Sequence, residues 1–183
     1  MIRLEPCSRD YIKQYRELYI SAFPAEERAP WFLLSRRAKQ GRAEVLAALE
    51  GDEFAGLAYV VVLGDMAYLF YLAVAEERRG QGMGGQMIAA LRERYAGKRL
   101  FLAREQLDKS AENYKQRESR HRFYLANGFE DWDSIIREGP VTYDVMGTGK
   151  PVSPEEYHAL ISGWAGRFAS LFFRAYLTGR TAQ

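Results

Sequence analysis

The sequence predicts a single mixed α/β domain, in which helices cover both faces of a mixed central sheet. Two observations support this fold class. Apolar residues recur at helical spacing near the amino terminus, and three long strand-like runs then follow one another. Beyond these runs, helical and strand-like segments alternate, and no repeat, low-complexity tract or linker divides the chain. We therefore expect one domain over residues 1–183, with a core over 1–146 and a strand and helix extension over 147–183.

A short strand and two helices come first. Ile2–Pro6 is a candidate strand, and Ser8 is a candidate cap for the helix that follows it. Pro24 and Pro30 interrupt the chain before a second helix over Trp31–Lys39.

Three sequential antiparallel strands are predicted next. Glu44–Glu50 and Phe54–Leu63 are rich in apolar residues, and the turn signal of Gly51 and Asp52 between them indicates a hairpin. A third apolar run, Met66–Val74, follows a second Gly-Asp turn. This third strand leads into the segment that carries the functional signal.

Past a glycine-rich turn, helices and strands alternate. Asn127 and Gly128 form a helix-ending signal, in which glycine takes the left-handed conformation. Ser153, Pro154 and Glu156 form a capping box at the start of a final helix. The other predicted elements are a helix over Gln86–Tyr95, a strand over Arg99–Ala103, a helix over Glu112–Ala126, and strands around Phe129–Ile136 and Val141–Met146.

The final helix carries a wide apolar stripe at helical spacing. We expect this surface to pack on the sheet, with a subunit contact in a homodimer as the alternative. Few lysines flank it, so a role at a membrane surface is not expected. The stripe consists of Tyr157, Leu160, Ile161, Trp164, Phe168, Leu171, Phe172 and Ala175.

The composition argues against several classes of protein. A formal net charge of +2 lacks the strongly basic balance of a nucleic-acid-binding protein. No run approaches the roughly 20 apolar residues of a membrane span. The amino terminus lacks the pattern of a secretion signal, so we expect the protein in the cytoplasm. Cys7 is the single cysteine and has no metal-ligand spacing with the two histidines, so we expect no metal.

Four glycines lie between a buried strand and a helix. Gly80, Gly82, Gly84 and Gly85 would let backbone N–H groups turn toward a ligand without side-chain clashes. The following helix offers the positive end of its dipole, and one of the two preceding arginines could add charge. The segment therefore predicts a site for a pyrophosphate, although a plain surface turn would have the same composition.

A dinucleotide site is one interpretation of these glycines. Gly80–Gly85 satisfies G-x-G-x-x-G, and Glu105 could bind the ribose. However, Ala75–Arg79 separates the strand from the glycines, the preceding strands look antiparallel, and too few strand–helix units follow. A Walker loop is excluded, because no Lys-Ser or Lys-Thr pair follows the glycines. An NAD(P)-binding oxidoreductase therefore stays the weaker alternative.

The second interpretation rests on a family resemblance. The spacing of Arg79, Gly82 and Gly84 resembles R/Q-x-x-G-x-G/A, the pyrophosphate motif of the GNAT N-acetyltransferase superfamily. Downstream, Phe123–Phe129 is similar to the F-Y-x-x-x-G-F element of that family. The resemblance covers Ile2–Met146 and implies the GNAT acyl-CoA N-acyltransferase fold. It also implies that the enzyme transfers an acetyl group from acetyl-CoA to a primary amine by direct attack. A non-catalytic module that binds acyl-CoA is the alternative.

The resemblance also implies which residues bind acetyl-CoA. The main chain of Leu72, Ala73 and Val74 would pair with the pantetheine arm, and the N–H of Val74 would face the thioester oxygen. The same residues would also serve as the core of a strand, since these contacts use backbone groups. The residues that match the pyrophosphate loop are Arg79, Gly80, Gly82, Met83, Gly84 and Gly85.

Two catalytic residues follow from the resemblance. Tyr124 matches the tyrosine that protonates the departing thiolate, although it could also fill the core. Glu105, just past a strand end, would take the proton of the amine through a water, although a solvated carboxylate is equally consistent. Where many members carry Asn, the sequence has Arg117, and Asn113 is the substitute candidate for contact with CoA. Together with Arg120, these residues are similar to the N-x-x-Q-R-x-x-R pattern of a bacterial branch.

Two acidic residues suggest where the acceptor binds. In the family, the first two helices form the acceptor side, and Glu26 or Glu27 could bind an amine there. The start of a helix also accounts for the same acidic pair, and this structural interpretation is the favoured one. We expect the acceptor to be a small-molecule or peptide amine. Its identity, the acyl chain length and the oligomeric state stay open.

Overall fold

The computed structural model describes residues 1–138, 141–169 and 175–179. The chain forms two compact units. The first comprises Met1–Val62 and Leu69–Ala96, and the second comprises Leu63–Tyr68 and the described residues from Gly97 onward. None of the helices in these described ranges is long and apolar enough to cross a bilayer.

The first unit combines a sheet with three helices. Its strands are β1 (Ile2–Pro6), β2 (Ala43–Glu50), β3 (Glu53–Leu63) and β4 (Met66–Val74), and its helices are α1 (Ile12–Ala22), α2 (Trp31–Lys39) and α3 (Met83–Arg94). The strand order is β1-β2-β3-β4, and β4 passes from the second unit into the first after Tyr68. The predicted hairpin is confirmed, because β2 and β3 pair on either side of Gly51, whose φ of 60° favours glycine.

Helices cover both faces of β3. Residues Phe54–Val61 are buried without interruption, which is the pattern of a strand with no solvent-exposed face. On one face, the hydroxyl of Tyr59 donates to the carbonyl oxygen of Leu34 in α2 at 3.2 Å. On the other face, a Cβ added at Gly56 would lie 2.9 Å from the sulfur of Met87 in α3. The predicted arrangement of helices on both faces is therefore present in this unit.

The first helix starts differently from the prediction. It begins at Ile12, and no side chain caps it. The hydroxyl of Ser8 instead accepts a hydrogen bond from the backbone N–H of Asp10 at 3.2 Å. The prediction that Ser8 caps this helix is wrong, because its hydroxyl closes a local turn ahead of the helix.

The second unit contains a mixed sheet that includes the first residues of β4. Its other strands are β5 (Arg99–Glu105), β6 (Glu130–Glu138), β7 (Val141–Gly147) and β8 (Ala175–Gly179), and its helices are α4 (Tyr114–Ala126) and α5 (Pro154–Ala169). The strand order is β4-β5-β7-β6-β8. Met66–Tyr68 pairs in parallel with Arg99–Phe101, whereas the other pairs are antiparallel. The mixed α/β fold class is therefore confirmed.

This unit also has a helix on each face of its sheet. Phe101 stacks on Tyr68 with ring centroids 4.8 Å apart, and Tyr157 of α5 packs edge-on against Tyr68 at 5.9 Å. On the opposite side of β5, Arg104 is linked through Asp131 to His121 of α4. Since residues three apart on a strand face opposite ways, Phe101 and Arg104 define the two faces.

The start of α5 agrees with the prediction, but its end does not. The backbone N–H of Glu156 donates to the hydroxyl of Ser153 at 3.3 Å, and its carboxylate accepts from the N–H of Ser153 at 2.8 Å, which confirms the capping box. The helix ends at Ala169 after Gly166 leaves helical geometry at a φ of 68°. Ala175 begins β8, which pairs with β6, so the prediction of a helix through Ala175 is wrong. Strand pairing along β6 outweighs the helical spacing there.

The apolar stripe of α5 packs inward as expected. The side chain of Phe168 is outside the part of the chain that the structure describes. Leu171 and Phe172 also lie outside the described residues. The homodimer stays a prediction. The stripe residues that are buried are Tyr157, Leu160, Ile161 and Trp164.

Candidate active site

Strand β4, which leads to the glycines, is hydrogen-bonded to β3 at its carboxyl end. The N–H of Ala75 donates to the carbonyl oxygen of Ala55 in β3 at 2.9 Å. Because backbone groups alternate along a strand, the N–H of Val74 points away from β3. The predicted ligand-binding residues Leu72, Ala73 and Val74 are half-buried. The direction of the Val74 N–H is the one that the predicted contact requires, and the contact itself stays a prediction.

The glycine turn is shorter than predicted. Helix α3 begins at Met83 rather than at Gln86, so Gly84 and Gly85 lie in its first turn. The cause is Gly82, whose φ of 75° turns the chain directly into the helix. Within the described residues no side chain caps this helix, so its first-turn N–H groups are available to an anion. The left-handed turn itself consists of Gly80 and Gly82.

Met83 has a structural side chain in this turn. It is buried in a cluster with Ile2, Ala48, Ala55 and Met87, against which Leu72 and Val74 also pack. A ligand of the glycine turn would therefore meet the backbone of Met83 and not its thioether.

The two arginines before the glycines have different partners. Arg78 donates to a carboxylate oxygen of Glu50 at 2.8 Å and also pairs with Glu53. Arg79 is exposed and donates to the carbonyl oxygen of Val74 at 3.2 Å. Since two carboxylates already neutralise Arg78, Arg79 is the better candidate to bind a phosphate.

Gly56 allows the strand and the helix of this site to approach each other. A Cβ at this position would lie 2.6 Å from the carbonyl oxygen of Ala73 and 2.9 Å from the sulfur of Met87. Gly56 was not predicted as part of the site, because a glycine inside a strand indicates close approach without identifying the partner.

The predicted acceptor region also lies in the first unit. The acidic pair forms a short 3₁₀ turn over Ala25–Glu27, and both carboxylates are exposed. The hydroxyl of Tyr71 donates to the carbonyl oxygen of Glu27 at 2.8 Å and accepts from the N–H of Ala29 at 2.9 Å. A buried tyrosine therefore fixes the backbone of this turn.

Glu105 is the last residue of β5, and its carboxylate is surrounded by nitrogen donors. One oxygen lies 2.9 Å from a guanidinium nitrogen of Arg117 and accepts from the amide of Asn113 at 3.2 Å. The other oxygen accepts from Arg120 at 3.2 Å. The structure thus brings together Glu105 and Asn113, two of the predicted site residues, and adds both arginines as partners.

Asn113 stands at the position before α4 but does not cap it with its side chain. Its side-chain amide oxygen Oδ1 accepts from Nε of Arg117 at 2.6 Å. Arg117 also donates to the carbonyl oxygen of Gln106 at 3.0 Å. These contacts hold the loop between β5 and α4 onto the helix.

Tyr124 lies near the end of α4 and is half-buried. Its ring packs against Phe129 with centroids 5.6 Å apart at an interplanar angle of 65°. Gly128, with a φ of 80°, ends the helix as predicted. Burial raises the pKa of Tyr124 to about 12, although the charge of Arg120 acts in the opposite direction. The phenol therefore keeps its proton near neutral pH.

A polar cluster beneath α4 was not predicted. The buried guanidinium of Arg104 lies 3.1 Å from Asp131 and 3.1 Å from Asp144. Asp144 accepts from the amide of Gln106 at 3.0 Å, and Asp131 lies 2.7 Å from Nε2 of His121. Burial acts to raise the pKa of Asp131, but hydrogen bonds from His121 and Arg104 outweigh it and lower this pKa. A charged residue inside an apolar strand indicates buried partners, but the sequence does not identify them.

The two units thus carry different parts of the predicted site. The first contains the glycine turn, and the second contains Glu105 and Tyr124. A family profile described as an acetyltransferase (GNAT) domain matches residues 41–131, about half of the chain. The chain belongs to the GNAT acetyltransferase family. The matched segment contains the strand end, the glycine turn and the helix of Tyr124. No curated protein matches the sequence.

Solved structures share the GNAT fold with this chain. An acetyltransferase of the GNAT family from Bacteroides thetaiotaomicron is 20% identical with a TM-score of 0.70, and the match covers 89% of this chain and 96% of that one. An aminoglycoside 6'-N-acetyltransferase complexed with coenzyme A is 17% identical with a TM-score of 0.62, over 81% and 99% of the two chains. A GNAT family acetyltransferase from Elizabethkingia anophelis with acetyl-CoA bound is 17% identical with a TM-score of 0.57, over 81% and 98%. The assignment to a bacterial branch stays a prediction.

Proposed function

We propose that the protein is an N-acetyltransferase that transfers the acetyl group of acetyl-CoA to a primary amine by direct attack. The observation that carries the proposal is the uncapped start of α3 behind two left-handed glycines, within the segment that matches the GNAT profile. Such a helix start is suited to bind a pyrophosphate. Family membership favours acyl-CoA over a dinucleotide as the ligand that contains this pyrophosphate.

The proposed cosubstrate contacts come from one contiguous segment. Gly80, Gly82 and the N–H groups of Met83–Gly85 bind the pyrophosphate, and Arg79 adds a charged hydrogen bond. The main chain of Leu72–Val74 binds the pantetheine arm. The N–H of Val74, which points away from β3, stabilises the oxygen on which negative charge develops.

The reaction moves two protons. The amine nitrogen attacks the thioester carbon and loses a proton, the C–S bond breaks, and the CoA thiolate gains a proton. Tyr124 is the proposed donor to the thiolate, because it matches the tyrosine of the F-Y-x-x-x-G-F element. Glu105 stays the predicted base, although its partners Asn113, Arg117 and Arg120 also suit a purely structural carboxylate.

A covalent enzyme intermediate is not part of the proposal. Burial raises the pKa of Cys7 to about 11, so this thiol stays protonated near neutral pH and is a poor nucleophile. Direct attack by the amine on the thioester is therefore the simpler course.

The acceptor is proposed to be a cationic amine. The exposed carboxylates of Glu26 and Glu27, on a turn fixed by Tyr71, would attract an ammonium group. A solved relative acetylates an aminoglycoside, as its name states, and is 17% identical to this chain. Small-molecule and peptide amines are both candidates for a screen. The cytoplasmic location stays a prediction.

Calorimetric titration with acetyl-CoA, with NADH as the control, tests the cosubstrate. Binding of acetyl-CoA alone supports the proposal, whereas binding of NADH alone would favour the dinucleotide interpretation. An amine screen that follows release of free CoA thiol then tests transfer. Failure to bind either ligand would contradict the proposed site.

The second candidate function is an acyl-CoA-binding module without turnover. The observation in its favour is the carboxylate of Glu105, which is paired with two arginines. Tyr124→Phe and Glu105→Gln separate the two functions. For an enzyme, we expect near-normal acetyl-CoA binding with turnover reduced about tenfold or more. Full turnover in both variants would show that the catalytic assignments are wrong.

A further inference from the structure

Helix α4, which carries Tyr124, makes several polar contacts with its unit. A surface helix normally buries an apolar stripe, but among the described residues α4 has no fully buried side chain. Polar contacts therefore supplement the packing of half-buried side chains such as Tyr124 in attaching this helix to the sheet.

One of these contacts leads into the buried polar cluster. Nε2 of His121 lies 2.7 Å from a carboxylate oxygen of Asp131 in β6. The second oxygen of Asp131 accepts from Arg104 in β5 at 3.1 Å, and Arg104 also pairs with Asp144 in β7 at 3.1 Å. Because Arg104 and Asp144 are buried, their positions are fixed by three paired strands. Asp131 is itself about half exposed, and its contact with the buried guanidinium of Arg104 makes it an anchor for His121.

The anchor lies beside the proposed proton donor. His121 and Tyr124 are three positions apart on α4, so their side chains leave the helix on neighbouring sides. Tyr124 packs on Phe129, which precedes Asp131 by two residues. The helix and the chain that follows it are thus joined at two points. Together with the ion pairs of Arg117 and Arg120 to Glu105, these points oppose rotation of α4 about its axis.

We propose that His121, held by Asp131, is a positioning residue that orients Tyr124 for proton donation to the thiolate. The catalytic part of this inference rests on the proposed acetyltransferase function. The structural part, which is that His121 fixes the ring of Tyr124, does not depend on that function.

The kinetic test combines substitutions at both residues. His121→Leu removes the hydrogen bond to Asp131, and His121→Gln keeps an N–H donor at a similar reach. We expect His121→Leu to lower kcat about tenfold with little change in the KM for acetyl-CoA, and His121→Gln to retain most of the activity. In a Tyr124→Phe background, His121→Leu should cause no further loss, because the positioned group is already absent.

A control variant lies on the same helix. Glu118 and Arg122 form an exposed ion pair, with a distance of 3.2 Å. Glu118→Gln should leave kcat unchanged, since this pair does not contact the cluster. An equal loss from His121→Leu in both backgrounds, or a loss in the control variant, would overturn the catalytic part of the inference.

A spectroscopic test works without any activity. Tyrosine ring labels, with the Tyr124 signal assigned by its loss in Tyr124→Phe, report the ring-current shift from Phe129. We expect His121→Leu to move or broaden this signal, and His121→Gln and Glu118→Gln to leave it in place. An unchanged signal in His121→Leu would refute the structural part even if the protein proved not to be an acetyltransferase. A moved signal in a protein without transfer activity would refute the proposed function alone.

Discussion

At the scale of single residues, the proposed phosphate site assigns different roles to two adjacent arginines. Arg79→Gln should weaken acetyl-CoA binding about tenfold, because it removes one charged hydrogen bond to phosphate. Arg78→Gln is the matched control and should bind acetyl-CoA normally, since Arg78 already pairs with Glu50 and Glu53. Titration calorimetry measures both. A larger loss of affinity in Arg78→Gln than in Arg79→Gln would show that the arginines are assigned the wrong way round.

Gly56 makes the second prediction at this scale. The Cβ of alanine would lie 2.6 Å from the carbonyl oxygen of Ala73, so strand or helix must shift. We expect Gly56→Ala to lower the free energy of unfolding by about 1–3 kcal/mol in urea denaturation. Gly163→Ala, in α5, is the control, because nothing lies within 4 Å of its added Cβ. It should leave stability unchanged or raise it by about 0.5–1 kcal/mol. Similar effects of the two substitutions would contradict the close approach at Gly56.

At the scale of elements, one half-buried arginine connects a strand with a helix start. Arg99 of β5 pairs with Glu156 of α5 at 2.7 Å and with Asp65, in the turn before β4, at 2.8 Å. Hydrogen bonding to Arg99, and then to the N–H of Ser153, lowers the pKa of Glu156 to about 2. Because the folded pKa lies below the ordinary value of about 4.3, this stabilisation is fully present above that value and is lost as the pH falls toward 2.

The prediction for this link is a pH-dependent loss of stability. Arg99→Met should lower Tm by about 2–4 °C at pH 7, the equivalent of roughly 1 kcal/mol for a protein of this size. The difference from the unsubstituted protein should shrink between pH 5 and pH 2, as Glu156 becomes protonated in both. Thermal melts across this pH range measure it, with Lys13→Met as the control in an exposed pair with Glu17. A difference that is constant with pH would show that the ion pair is not responsible.

The sequence predicted elements wherever local signals decide the structure. The bounds of α2 and β4 agree with prediction, because prolines and Gly-Asp turns delimit these segments. The start of α3 and the existence of β8 were not predicted, since one depends on the φ of Gly82 and the other on pairing with a distant strand. In the site, motif spacing led to Tyr124 and the glycines. The cluster around Arg104 was not predicted, because its members come from four separate elements, which are β5, β6, β7 and α4.

At the scale of the whole molecule, family membership defines the class of reaction but leaves the acceptor open. Acceptor contacts vary within a fold, because function resides in the site rather than in the architecture. The single-domain organisation over residues 1–183 likewise stays a prediction beside the two compact units. The thermal stability of the entire folded chain with and without ligand is therefore the most direct global test of the proposed function.

The last prediction is that acetyl-CoA stabilises the folded protein by mass action. A ligand at about 100 times its Kd adds about 2.7 kcal/mol to the free energy of unfolding. For a chain of 183 residues this corresponds to a rise in Tm of about 5–10 °C. Differential scanning fluorimetry should show this rise with acetyl-CoA but not with NADH, and Arg79→Gln should reduce it at the same ligand concentration. An equal rise with NADH would contradict an acyl-CoA site at the start of α3, whatever acceptor the enzyme uses.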